Sequence, residues 1–99
     1  MREICRYEFA DGVDLEAIED TLLISILAAE GLHGRAQIRL NVSYWFERDR
    51  RSCLIDATSV VGRDVCCIFT ALAIREFGDD SFSVRRITDV AAKPTGAAA

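Results

Sequence analysis

Lysine, histidine, proline and tryptophan each occur only once in this 99-residue chain. With a single histidine, and with four cysteines that form no Cys-x-x-Cys pair, the sequence lacks the ligands of a tetrahedral zinc site. It also lacks the phosphate-binding motif G-x-x-x-x-G-K-[ST] and the nucleophile motif G-x-S-x-G. We therefore predict no catalytic, metal-binding or cofactor-binding residues, and the sequence leans against an enzyme.

Long apolar runs are absent as well. The longest apolar segment, residues 22–32, contains Glu30 and is shorter than the roughly 18–20 residues that span a bilayer. Charged residues at positions 3, 6 and 8 interrupt the N-terminal segment, which therefore has no apolar core of the kind found in signal peptides. We expect a soluble, cytoplasmic protein that does not associate with membranes.

Acidic residues outnumber basic residues by sixteen to twelve, which gives a net charge of −4. This charge disfavours general attraction to the phosphates of nucleic acids. All the basic residues except Lys93 are arginines, and arginine binds carboxylates and phosphates with two parallel hydrogen bonds. A compositional bias of the source genome explains the excess of arginine more simply. We predict no nucleic-acid partner.

Four segments alternate between apolar and polar residues, as strands with one buried face do. They are residues 3–9, 37–46, 53–59 and 81–87. The clearest is QIRLNVSYWF at 37–46, where the alternation holds over ten residues. We predict four strands.

Two further segments repeat apolar residues every three or four positions, which is the spacing of an amphipathic helix. The first begins after Asp14, a good N-cap, and ends at Gly31 or Gly34. Its predicted inward side consists of Leu15, Ile18, Leu22, Ile26 and Ala29, widened by Leu23 and Leu27. The second helix runs from about Val60 to Phe77 and stops at Gly78.

The predicted order of elements is β-α-β-β-α-β within residues 1–87, a single α+β domain. It resembles the ferredoxin-like, or split βαβ, architecture, in which two helices pack on one face of a four-stranded antiparallel sheet. Right-handed crossovers then give the spatial strand order 4-1-3-2. Residues 88–99 are small and polar and contain the single proline, so we expect a disordered C-terminal tail. This architecture hosts many unrelated functions and indicates none by itself.

The segment TSVVGRD, residues 58–64, connects the third predicted strand to the second helix. Free backbone N–H groups at the start of a helix bind anions, and Gly62 would let a ligand approach closely. Together with Ser59, Arg63 and the nearby His33, this TSVVGRD turn would form a site for a small phosphate or carboxylate. The simpler interpretation is a helix cap supplied by a hydroxyl side chain, with the charged residues in solvent.

The four cysteines are predicted to be structural. Cys5 and Cys53 belong to the inward set of central strands and behave as small apolar residues. Of the adjacent Cys66 and Cys67, we expect one to be buried and one to be partly open. Both lie a full turn or more inside the helix, away from the N-terminus where a thiolate is activated.

The predicted sheet has a second face that nothing in the sequence covers. Its residues include Trp45 and Leu54, adjacent across a hairpin, together with Arg6, Arg39 and the central Asp56. Tryptophan and arginine are the residues that most often anchor protein interfaces. An RNA-binding face would carry aromatic residues on the central strands, whereas those of the first strand are expected to point inward. The alternative is a solvated face with weak ion pairs.

From these observations we predict a small, non-catalytic interaction protein. We expect it to self-associate as a homodimer or to dock a protein partner through the open face of the sheet. Burial of Trp45 and Leu54 would supply affinity, and pairing of arginine with Asp56 would set the register. The alternative function is binding of a small anion at the TSVVGRD turn.

Overall fold

The computed structural model describes residues 1–89. Their helices and strands are, in chain order, β1 (Arg2–Phe9), α1 (Leu15–His33), α2 (Arg35–Asn41), β2 (Tyr44–Glu47), β3 (Ser52–Asp56), α3 (Val60–Phe77) and β4 (Phe82–Asp89). A short 3-10 turn joins β2 to β3. Over this part of the chain the fold is α+β, with one four-stranded antiparallel sheet and three helices.

The strands lie in the order β2-β3-β1-β4, and every neighbouring pair is antiparallel. The central strand β1 pairs with β4 over its whole length, from Arg2 opposite Asp89 to Phe9 opposite Phe82. It pairs with β3 on its other side, where Tyr7 lies opposite Cys53. The two central strands therefore hold the sheet together, and β2 and β4 form its edges.

The predicted ten-residue strand at 37–46 is wrong over its first half, because residues 35–41 form α2. Ile38 and Val42 are four residues apart, a spacing that places them on one side of a helix as well as on one face of a strand. Both pack against the core, whereas Leu40, which a strand would have turned inward, is 77% exposed. The side-chain amide of Asn41 donates to Gln37 Oε1 one turn earlier, at 2.8 Å. The predicted count of two helices is wrong for the same reason.

One hydrophobic core joins the sheet to the two long helices. Its central side chains, all fully buried, are Tyr7, Cys53, Ile55, Ile18, Leu22, Val65 and Phe69. The ring of Tyr7 meets the ring of Phe69 edge to face, with centroids 4.8 Å apart. Such pairs stabilise a core beyond the area that they bury. The inward set predicted for β1 and β3 is thus confirmed.

The predicted helix ends are confirmed by their caps. A carboxylate oxygen of Asp14 accepts the Glu16 N–H at 3.2 Å at the start of α1. Gly34 and Gly78 end α1 and α3 with φ near 90°, a conformation that L side chains rarely adopt. Of the two glycines proposed to end α1, the chain uses Gly34.

The predicted inward stripe of α1 is too wide. Ile18, Leu22 and Ala29 are buried as expected, but Leu23 and Leu27 are 45% and 64% exposed. Leu23 follows the buried Leu22 by one residue, and Leu27 precedes the buried Ala29 by two residues. Both leucines therefore lie on the side of the helix that faces away from the core. A helix with apolar residues on two sides gives no sequence signal that says which side meets the core.

The C-terminal strand is longer than predicted. Thr88 and Asp89 continue β4 and pair with Glu3 and Arg2 of β1, two residues beyond the predicted domain boundary at 87. The remainder of the predicted tail, residues 90–99, lies outside the described residues.

Candidate functional site

Four of the five residues predicted for an interface lie on the face of the sheet opposite the core. On this face Trp45 of β2 is directly opposite Leu54 of β3, and Leu54 is directly opposite Arg6 of β1. Arg85 of β4 lies opposite Arg6 on its other side. A continuous row therefore crosses the sheet, apolar at the β2 edge and cationic at the β4 edge. We call this surface the open sheet face; its residues include Ile4, Arg6, Glu8, Trp45, Glu47, Leu54, Asp56, Arg85 and Ile87.

The guanidinium of Arg6 is held in place on the open sheet face by two carboxylates. Its Nε donates to Glu8 Oε2 at 2.9 Å, and its Nη2 lies 3.7 Å from Glu47 Oε1. The hydrogen bond from Arg6 lowers the pKa of the Glu8 carboxyl. Only 17% of the Arg6 side chain is exposed, so the guanidinium is held in one position before any partner arrives.

Ile4 lies beside Arg6 on the same face and is nevertheless only 4% exposed. Its cross-strand neighbours are Asp56 on β3 and Ile87 on β4. Arg2, two residues earlier on the same strand, reaches Asp56 at 3.9 Å. Long side chains that lie flat over a sheet cover apolar neighbours in this way. Ile4 therefore contributes little surface to a partner, and the accessible apolar residues of the face are Trp45 and Leu54 at the β2 edge.

The prediction that Arg39 belongs to this face is wrong. Arg39 is an exposed residue of α2, and α2 contacts α1 and α3. The error follows from the period-two pattern at 37–46, which assigned alternate residues to a strand that begins only at Tyr44.

The residues proposed for anion binding are mostly engaged with the protein itself. Ser59 Oγ accepts the N–H of Gly62 at 2.9 Å and donates to the carbonyl of Asn41 at 3.2 Å. A guanidinium nitrogen of Arg63 lies 3.4 Å from the carbonyl oxygen of Thr58. The structure confirms that Ser59 caps α3. Anion binding at the TSVVGRD turn stays a prediction.

Gly62 has a packing role that the sequence does not reveal. A Cβ atom at this position would lie 2.2 Å from the backbone oxygen of Asp56, at the end of β3. The first turn of α3 therefore approaches the strand closely, and only a residue without a side chain fits between them. This contact accounts for the glycine without a ligand.

His33 does not point to the other proposed anion ligands but pairs with a carboxylate. Its Nε2 lies 2.7 Å from Asp64 Oδ2. The pair connects the last turn of α1 with the second turn of α3. Asp64 was not among the predicted site residues, because a contact between residues 31 positions apart depends on how the helices cross.

The cysteines are mainly core residues. Cys5, Cys53 and Cys66 are buried and Cys67 is exposed, as the sequence predicted for the adjacent pair. Burial raises the pKa of the Cys53 thiol to about 12 and raises that of Cys66 as well. Protonated thiols are poor nucleophiles at neutral pH, so Cys53 and Cys66 are inert there.

A groove of about 570 Å³ lies between α3 and the edge strand β4. Tyr7 forms its floor, and the Tyr7 hydroxyl is 2.9 Å from the Thr70 hydroxyl and 3.3 Å from the Cys66 carbonyl oxygen. Burial raises the pKa of Tyr7 well above its usual range. The Tyr7 and Thr70 hydroxyls and the Cys66 carbonyl thus satisfy one another, and the Tyr7 hydroxyl is not an activated nucleophile.

Comparison with known proteins finds no matching family model, no matching curated protein and no matching solved structure. Over residues 1–89, no helix is long and apolar enough to cross a membrane. In the same part of the chain, no three side chains of His, Cys, Asp or Glu gather into a group that could hold a metal ion.

Proposed function

We propose that this chain is a small, non-catalytic interaction protein that docks a protein partner through the open sheet face. The observation that carries the proposal is the row formed by Trp45, Leu54, Arg6 and Arg85, in which each residue is directly opposite the next across three strand pairs. Interfaces combine a buried apolar cluster with polar residues beside it, and the row supplies both.

The row also specifies what the partner must offer. An apolar side chain of the partner would cover Trp45 and Leu54, which are only partly buried. A carboxylate of the partner would meet the cationic end, where Arg85 is exposed. Arg6 is already bound to Glu8, so little side-chain entropy is lost when a partner binds there.

We also infer that the architecture is ferredoxin-like with an inserted helix. The order β2-β3-β1-β4 is the order 4-1-3-2 counted from the other edge of the sheet, and α1 and α3 connect the strands as the two helices of that architecture do. The inserted α2 precedes β2 and packs Ile38 and Val42 against the core.

The proposal is tested by replacing Trp45. Immobilised protein would be used to capture partners from an extract of the source cells, and the affinity of the captured partner would be measured with purified protein. We expect Trp45→Ala to weaken binding about 30-fold, since loss of an anchor residue costs about 2 kcal/mol. Tyr44→Ala is the matched control, because Tyr44 is the neighbouring residue on the other face.

Both proteins must first show the circular dichroism spectrum and melting temperature of a folded domain. A partner that binds the Trp45→Ala protein as tightly as the wild type would refute docking through the open sheet face. Docking through the open sheet face would also be refuted if the wild-type chain captured no more partner protein than the Trp45→Ala variant does.

A further inference from the structure

Three large aliphatic side chains lie exposed on the side of α1 that faces away from the core. Leu23, Ile24 and Leu27 are 45%, 55% and 64% exposed. Their spacing of three and four residues places them on one side of the helix. We call these three residues the α1 outer stripe.

Among residues 1–89, the α1 outer stripe takes no part in the hydrophobic core. A surface helix has one apolar side, which meets the core, and a polar side in water. In α1 the core side is already supplied by buried residues such as Ile18 and Leu22. Contiguous exposed apolar residues mark surfaces that bind a protein, a membrane or a ligand.

We propose that a second copy of this chain covers the α1 outer stripe, so that the two α1 helices pack antiparallel about a two-fold axis. A two-fold interface uses the same surface on both copies and closes without leaving a free binding surface. The proposal concerns the helical layer and does not depend on docking at the open sheet face.

The charges at the two ends of α1 favour this arrangement. Glu16 and Asp20 extend the stripe toward the N-terminus at four-residue spacing, and both are exposed. The other end of α1 is followed by Arg35 and Arg39; the Arg35 side chain is 77% exposed and its Nε lies 3.3 Å from Glu30 Oε2, so that the two arginines outnumber the one carboxylate there. An antiparallel pair brings the acidic end of one helix to the basic end of the other, whereas a parallel pair would bring like charges together.

The shape of α1 fits the same arrangement. At 19 residues the helix is about 28 Å long, and Leu27 would lie close to the two-fold axis. Leu23 of one protomer would then face Gly31 of its partner. No atom outside the local chain lies within 4 Å of the position of a Gly31 Cβ, so the space there is open to a leucine side chain from the other copy.

The test is the solution mass of the protein by size exclusion with light scattering, from about 1 μM to about 1 mM, the range in which small interfaces dissociate. We expect the mass to rise with concentration toward twice the 11.0 kDa of one chain. Leu27→Glu should raise the dissociation constant of the dimer at least about tenfold. Ile74→Glu, at a residue of α3 that is 44% exposed, should leave it unchanged.

A charge exchange tests the antiparallel direction. Asp20→Arg should weaken the dimer, and the double variant Asp20→Arg, Arg35→Asp should restore it. If Leu27→Glu does not fold, Leu27→Gln replaces it.

Three results would overturn the proposal. The first is a mass that stays at that of a monomer at every concentration. The second is a dimer that forms equally well in Leu27→Glu and in Ile74→Glu. The third is a dimer that is lost in Trp45→Ala but not in the Leu27 variant. The last result would place self-association on the open sheet face and leave the proposed function standing.

Discussion

Replacing Gly62 by alanine should destabilise this protein, although alanine has a higher helix propensity than glycine. The added Cβ would lie 2.2 Å from the Asp56 oxygen and 3.3 Å from the Asp56 carbonyl carbon, so backbone must move to admit it. Overpacking of this kind costs about 1–3 kcal/mol, and the gain in helix propensity offsets up to about 1 kcal/mol. A Cβ only 2.2 Å from a backbone atom places the cost at the upper end of that range, about 3 kcal/mol. We therefore expect a net loss of about 2 kcal/mol, and a fall in melting temperature of roughly 8–16 °C for a domain of this size.

The same substitution at Gly31 is the matched control. Gly31 also lies in a helix, and its Cβ would meet nothing within 4 Å, so Gly31→Ala should stabilise the fold by about 0.5–1 kcal/mol. Urea unfolding followed by circular dichroism, at concentrations where the chain is monomeric, gives both free energies. A Gly62→Ala protein as stable as the wild type would refute the close approach of α3 to β3.

Two further predictions concern the cysteines. In the native protein one thiol, that of Cys67, should react rapidly with a disulfide reagent, and the three buried thiols should react only after unfolding. Cys67→Ser should abolish the fast reaction, and two or more fast thiols would contradict the burial. Burial also raises the pKa of Cys53 from 9.0 to about 12, so its contribution to stability is complete below pH 9 and is lost as pH rises from 9 to 12. Urea unfolding at a series of pH values should show a falling free energy of unfolding in that range, to which Cys53 contributes up to about 1.4 kcal/mol per pH unit, and the fall should be smaller in Cys53→Ala. An unchanged free energy of unfolding up to pH 11 would contradict this.

Where the local sequence signals agreed, they predicted the structure. Ser59 and Gly78 mark the two ends of an apolar helical pattern, and α3 lies between them. The alternation around Tyr7 placed β1 correctly, because the polar residues between its apolar positions leave one face to bury. The pairing of Trp45 with Leu54 followed from a short polar loop between two strand patterns.

The remaining features depend on contacts that local patterns do not contain. Ile38 and Val42 satisfy the strand period and the helix period equally, and it is the exposed Leu40 between them that distinguishes α2 from a strand. Leu27 lies on a helix with two apolar sides, so its exposure depends on which side meets the sheet. The His33–Asp64 pair arises from the crossing of two helices, and neither residue carries a local sign of the other.

The replacement of a predicted strand by α2 has a consequence for how the protein behaves when it is concentrated or heated. A ten-residue β2 would have presented a long row of unpaired backbone N–H and C=O groups at the edge of the sheet, which is a template for adding strands from other molecules. The actual β2 has four residues, and the opposite edge strand carries the adjacent charges of Arg85 and Arg86. Coiling residues 35–41 into a helix therefore protects the protein from edge-to-edge aggregation, and substitutions that weaken α2 should promote fibrils as well as unfolding.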